Sequence, residues 1–207
     1  MSISERRERD RLKVRIKILN AARELFASEG YDSVTMRRIA NVIEYSPTTI
    51  YLHFKDKGAL IRELCRVDMV SLAQEFRSVA TEPEPLERLR KIGQAYVTFG
   101  IEHPNQYRLM FMSNRRHEEE QLAELGHGNL ETDGYLLLLN TFTEAIAQHL
   151  LSPELSDPDL LAQSYWASVH GVVAMHITLY GDPWNEWRNV EETARMTINA
   201  MIRGLKR

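Results

Sequence analysis

The chain has 207 residues, 43% hydrophobic and 27% charged, which is the composition of a folded soluble protein and not of a disordered one. No apolar run approaches the roughly 18 residues of a membrane span. The charged start, Met1–Arg11, lacks a signal-peptide core, and the single cysteine, Cys65, excludes an internal disulfide framework and a cysteine-rich zinc site. The formal charge of −3 is unevenly spread: residues 1–57 hold 12 Lys/Arg against 8 Asp/Glu, net +4, leaving 14 basic and 21 acidic residues, net −7, for the rest. A small basic end on a larger acidic body predicts a polyanion-binding segment, while the missing span, the missing signal core and the lone cysteine make the cytoplasm the expected location. The run Arg6–Lys17 reads equally as a disordered, phosphate-touching arm and as a soluble tail.

In chain order, nearly every periodic segment predicts helix. Ile18, Ala22, Leu25 and Phe26 share one face of a first helix that Gly30 ends. Thr35 caps a short second helix with Met36, Ile39, Ala40 and Ile43 turned inward. Ser46 before Pro47 is a strong start signal for a third, running to about Phe54. Asp56 caps a fourth, from about Lys57 to Ala80. The turn Thr81–Pro85 breaks the pattern, and five further helices are expected near 86–102, 104–113, 128–151, 157–180 and 186–204. The acidic stretch Arg115–Glu124 reads as a mobile connection. The expected fold is all-α with about nine helices: an N-terminal helical domain over 1–57, a connecting helix over 58–80, and an antiparallel helical body over 81–207.

Thr35–Lys57, "TMRRIANVIEYSPTTIYLHFKDK", contains two short helices separated by about three residues, the spacing of a helix-turn-helix. The second helix offers Thr48, Thr49, Tyr51 and His53 outward, while Ile50 and Phe54 face the core. Small hydrogen-bonding side chains at a helix N-terminus suit a major groove. Arg37, Arg38, Lys55 and Lys57 flank it, where phosphates would lie.

"AARELFASEGYDSVTMRRIA" followed by "SPTTIYLHFKDKGAL" resembles the DNA-binding domain of the tetracycline-repressor family of bacterial regulators, strongly over residues 12–62. The resemblance places Ser46, Thr49, Tyr51, His53, Phe54 and Lys57 on the family's characteristic positions, with Tyr51 and Lys57 on the phosphate backbone; together with the flanking residues the expected operator-binding face is Thr35, Arg37, Arg38, Ser46, Pro47, Thr48, Thr49, Tyr51, His53, Lys55 and Lys57. Three positions depart from the family pattern, the first being Ile43, where a small residue is usual. Glu44 stands where glycine is usual and carries about 1 kcal/mol of strain if the turn needs a left-handed residue. Thr48 replaces the usual Gly or Ala.

"HPNQYRLMF" (103–111) and "YWASVHGVVAM" (165–175) resemble the family's C-terminal domain type named for a Trp-His-Gly motif, here Trp166, His170 and Gly171. The resemblance implies a small-molecule effector site. Tyr96, Phe99, Tyr107, Met110, Phe111, Leu139, Phe142, Trp166, His170 and Met175 are the large groups expected to look inward and line it, although such stripes are more often core than pocket and His170 reads more readily as a hydrogen-bonded buried histidine. No acidic pocket residue stands out. The seven histidines form no i,i+4 pair, so no metal and no cofactor are expected. A stripe of Val190, Ala194, Thr197, Ile198, Met201 and Leu205 completes the core, pairs two chains, or both. The reading is a homodimeric repressor of a palindromic DNA operator, released by a small molecule, neither an enzyme nor a membrane protein. A DNA-coating protein without sequence preference, and an enzymatic or carrier body with a vestigial DNA head, stay open as alternatives.

Overall fold

The computed structural model describes residues 2–112, 128–129 and 132–207, and nine α-helices among them. We number them α1 (Ile3–Glu29), α2 (Met36–Val42), α3 (Pro47–Tyr51), α4 (Lys57–Ala80), α5 (Pro85–Glu102), α6 (Pro104–Tyr107), α7 (Gly134–Ala147), α8 (Pro158–Leu179) and α9 (Val190–Leu205). The expected all-α architecture is present. Among the described residues the one departure is a single antiparallel bridge between Leu151 and Lys206. The expected connection Arg115–Glu124 lies outside the described residues.

Local chemistry sets most helix starts. Ser2 and Glu5 form a reciprocal capping box, so α1 begins at Ile3 and the basic run Arg6–Lys17 is helix, not a disordered arm. The side chains of Thr35, Ser46, Glu84, Asp133, Asp157 and Asn189 each accept a first-turn amide, three of them just ahead of a proline at the first helical position. Four helices differ in their bounds from expectation, among them α6, which ends at Tyr107 and not near residue 113. Helix α3 stops at Tyr51, short of Phe54. Helix α7 runs only from Gly134 to Ala147, because Asp133 caps it late and His149 at φ 56° follows its end. Helix α9 starts at Val190, because Asp182 accepts the amide of Trp184 through its carboxylate and the indole N–H of Trp187 through its carbonyl, which holds 182–187 as a turn. After Tyr107 the chain widens into a π turn, Arg108–Met112, that buries Leu109 and Met110 beside Tyr107.

The chain divides into two compact units. One holds residues up to Asp68 and the segment that begins at Asn105; the other holds Met69–Pro104 and the C-terminal helices, so the division falls within α4. The core of the first unit is Ile18, Ala22, Leu25 and Phe26 of α1 against Ile39, Ala40, Ile43, Ile50, Phe54, Leu60 and Leu64. In the second unit α5 packs against α7, α8 and α9, with Leu89, Ile92, Phe142, Tyr165, Val169, Ile198 and Ile202 at its centre. The stripe on α9 is partly spent there: Ala194, Ile198 and Leu205 are buried within this one chain. No helix among the described residues is long and apolar enough to cross a membrane.

Candidate functional site

The turn between α2 and α3 is built from its backbone outward. Glu44 adopts φ 61°, the left-handed region, and the amide of Tyr45 donates to the carbonyl of Ala40 at 3.0 Å, closing α2. Buried Ile43 anchors the turn below, while Lys17 of α1 donates to the Ile43 carbonyl at 3.1 Å and lies 5.1 Å from the Tyr45 ring centre. A glutamate at a left-handed position costs about 1 kcal/mol relative to glycine. Glu44→Gly is therefore expected to stabilise the protein by about that amount in urea denaturation. It also removes an exposed negative charge beside the candidate DNA face, so DNA affinity is expected to rise and not fall.

Ser46 starts α3 by accepting the amide of Thr49 at 3.2 Å, and its hydroxyl lies 2.9 Å from the Thr49 hydroxyl. Thr49 is half-buried at this cap, whereas Thr48 and Tyr51 are exposed and Ile50 is fully buried. Partial burial, then the Arg11 and Arg15 charges, hold the His53 imidazole below its ordinary pKa, so it adds no positive charge near neutral pH. Of the flanking cations, Arg37 and Lys55 are exposed and pair with no other described residue. Arg38 is held by Glu29 at 2.7 Å.

Lys57 is the most constrained of the candidate site residues. Its ammonium donates to the carbonyls of Tyr31, Asp32 and Val34, at 2.7 Å for Val34, and sits 4.0 Å from the Tyr31 ring centre. It closes the α1–α2 connection, which leaves three orphan carbonyls without it. Lys57→Met is expected to lower stability by about 1–3 kcal/mol in thermal or urea melts of DNA-free protein. A variant with unchanged melting and weakened DNA binding would return Lys57 to a purely phosphate-contacting role.

Sequence reasoning missed the side chains that brace this platform. Arg15 donates to the His53 carbonyl at 3.2 Å, pairs with Glu63 at 2.9 Å and stacks 4.3 Å over Phe54. Arg23 pairs with buried Asp68 at 2.6 Å, and Gln106 donates to the same carboxylate at 2.9 Å. Each joins positions 38 to 48 residues apart, and no local pattern signals such a partner.

In the second unit, Tyr96, Trp166 and His170 come together. The Trp166 indole N–H donates to the Tyr96 hydroxyl at 2.9 Å, and that hydroxyl lies 3.2 Å from Nδ1 of His170. Burial lowers the His170 pKa, which favours a neutral ring whose Nδ1 accepts the Tyr96 proton. Phe142 packs edge-on to Tyr165 at 5.9 Å, Phe99 lies 5.1 Å from His103, and Leu139 is half-buried on α7. Tyr107, Met110 and Phe111 belong to the first unit. Met175 is not inward-looking: it is 52% exposed, because it lies two residues beyond buried Val173 and hence on the opposite face of α8. Among the described residues no group of His, Cys, Asp and Glu is arranged to hold a metal ion.

Residues 18–64 match the family described as bacterial regulatory proteins, tetR family. Residues 89–201, more than half of the chain, match the tetracyclin repressor-like C-terminal domain. The chain belongs to the tetracycline-repressor family. Members of this family bind DNA operators and small-molecule effectors, usually as dimers. Among curated relatives of this tetracycline-repressor-family protein, the regulator UidR of Escherichia coli K12 is 40% identical over 73 residues, 35% of this chain and 34% of UidR. The chain thus matches about a third of the length of that relative. YobS of Bacillus subtilis, an uncharacterized regulator, is 25% identical over 154 residues, 66% of this chain and 81% of YobS. Among solved structures, the fatty acid degradation regulator FadR of Bacillus halodurans superposes with a TM-score of 0.75 at 18% identity, covering 93% of this chain and 97% of FadR. A Rhodococcus protein of unknown function gives 0.74 at 23% identity, covering 93% and 95%. These structural likenesses establish the fold.

Proposed function

We propose that this chain is a ligand-responsive transcriptional regulator, a repressor that binds a palindromic operator as a homodimer and is released by a small molecule. The observation that carries this reading is the capped, outward-facing α3, with Thr48 and Tyr51 exposed above buried Ile50 and the unpaired cations Arg37 and Lys55 beside it. That arrangement offers hydrogen-bonding groups to base edges and fixed charges to phosphates. One recognition helix of five residues reads few base pairs, so two copies on half-sites about 34–36 Å apart supply the specificity. The second copy is proposed to pair through α8 and α9, which leave Met175, Leu179 and Met196 exposed. In an antiparallel, twofold pairing of α9, acidic Glu192 near one end meets basic Arg203 near the other, which supports self-association. The proposed coupling runs through α4, with effector binding changing operator affinity roughly 5–150-fold. The reading places the protein in the cytoplasm, where bacterial DNA is, and assigns it no enzymatic step.

Selection of binding sites from a random duplex pool, followed by affinities across a salt series, tests this. A recovered palindrome supports the reading; random and selected duplexes binding within a few-fold of each other would make this a DNA-coating protein. Thr48→Val, which keeps the shape and removes the hydroxyl, is expected to reduce discrimination at one half-site position by about 1–3 kcal/mol while leaving the salt slope unchanged. Equal loss on every sequence would place Thr48 among the backbone contacts.

A further inference from the structure

The second unit carries a concave feature whose lining includes none of Tyr96, Trp166 and His170. Between the later turns of α4 and the outer face of α5 is a cavity of about 220 Å³. Its apolar lining is Val79, Ala95 and Phe99. Gln94 and Thr98, four residues apart and hence on one helical face, add an amide and a hydroxyl. Three charged side chains and the His103 imidazole border it. Lys91 is already bridged to Glu82, which cancels its charge. The carboxylates of Glu75 and Glu102 make no hydrogen bond or ion pair with any other described residue, so the cavity carries uncompensated negative charge from both helices.

We propose that this groove binds a small organic cation with an apolar body, the body against Val79, Ala95 and Phe99 and the ammonium held by Glu75 and Glu102. Charge-assisted hydrogen bonds to an ammonium are about twice as strong as neutral ones. An anion meets two carboxylates, and the one ammonium at the rim, Lys91, is already bridged to Glu82. The volume lies below the roughly 300–1,000 Å³ of drug-sized sites, so the ligand is a small amine and not a large polycyclic compound. The assignment is independent of the DNA reading and is measured without DNA.

The test titrates the full-length protein with 4-phenylbutylammonium, 4-phenylbutanol and 4-phenylbutyrate by calorimetry. The ammonium is expected to bind about tenfold more tightly than the alcohol, and the carboxylate not at all. Glu75→Gln and Glu102→Gln are each expected to weaken the ammonium about tenfold, leaving the alcohol and the melting temperature unchanged. Gln94→Lys, which leaves both carboxylates in place, is expected to abolish ammonium binding by introducing a fixed cation. Equal affinity for ammonium and alcohol would overturn the proposal. So would ammonium binding that survives all three substitutions, or that depends on Trp166→Phe instead.

Discussion

Replacing Arg23 with alanine is expected to destabilise the protein by about 3–5 kcal/mol, the cost of leaving a buried charge without its partner. The Asp68 side chain has no exposed surface, and Arg23 supplies it with two donors, Nη2 at 2.6 Å and Nε at 3.4 Å. Without them the carboxylate keeps only the Gln106 amide at 2.9 Å, which does not compensate a desolvated charge. Urea denaturation followed by circular dichroism measures the effect. The double variant Arg23→Met, Asp68→Leu is expected to recover most of the loss, because an apolar pair of similar volume removes the burden of desolvation. A single variant within about 1 kcal/mol of the parent would mean that Asp68 is solvated in solution or finds another donor.

Gly93→Ala carries the second large effect, through crowding. A Cβ at Gly93 would stand 2.3 Å from the Tyr165 hydroxyl and 3.0 Å from Cδ1 of Ile198, both fully or almost fully buried. Neither neighbour is free to move. The Tyr165 hydroxyl donates to the Leu89 carbonyl at 2.6 Å, its ring packs edge-on to Phe142, and burial pushes its pKa up. Overpacking of about 1–3 kcal/mol adds to a displaced buried hydrogen bond of similar size. For a chain of this length a total near 3 kcal/mol lowers the melting temperature by roughly 6–12 °C. Adding Tyr165→Phe to Gly93→Ala is expected to restore part of that, since it removes the atom the new methyl strikes. No change in melting on Gly93→Ala would show that α5 and α8 shift apart without cost.

Both effects concern positions that look ordinary along the chain. Gly93 is a glycine in a helix, and Arg23 and Asp68 are two charges 45 residues apart. By contrast, the helix starts were readable because a cap acts over three residues: Thr35 on the amide of Arg38, Ser46 on that of Thr49. The left-handed turn at Glu44, at φ 61°, was open to expectation only through the resemblance, because the family usually has glycine at that position. The π turn after Tyr107 has no local mark in the residues that form it.

The sequence by itself determined an all-α chain, the capped helix pair that presents Thr48 and Tyr51, and membership of a regulator family, because periodicity, capping and motif act within a turn or two of helix. Only the tertiary structure decided which charges are spent and which remain available. Lys57 is taken up by three carbonyls and Arg38 by Glu29, while Arg37 and Lys55 stay exposed. It also decided that Ala194 and Ile198 close the core while Met175 and Met196 face outward. The pairing of Trp166 and His170 through Tyr96, 70 and 74 residues earlier, was settled there as well. The physical reason is common to all of these. Burial and partnership depend on which distant segments meet, and one amphipathic stripe suits a core, a dimer seam or a pocket until its neighbours are in place.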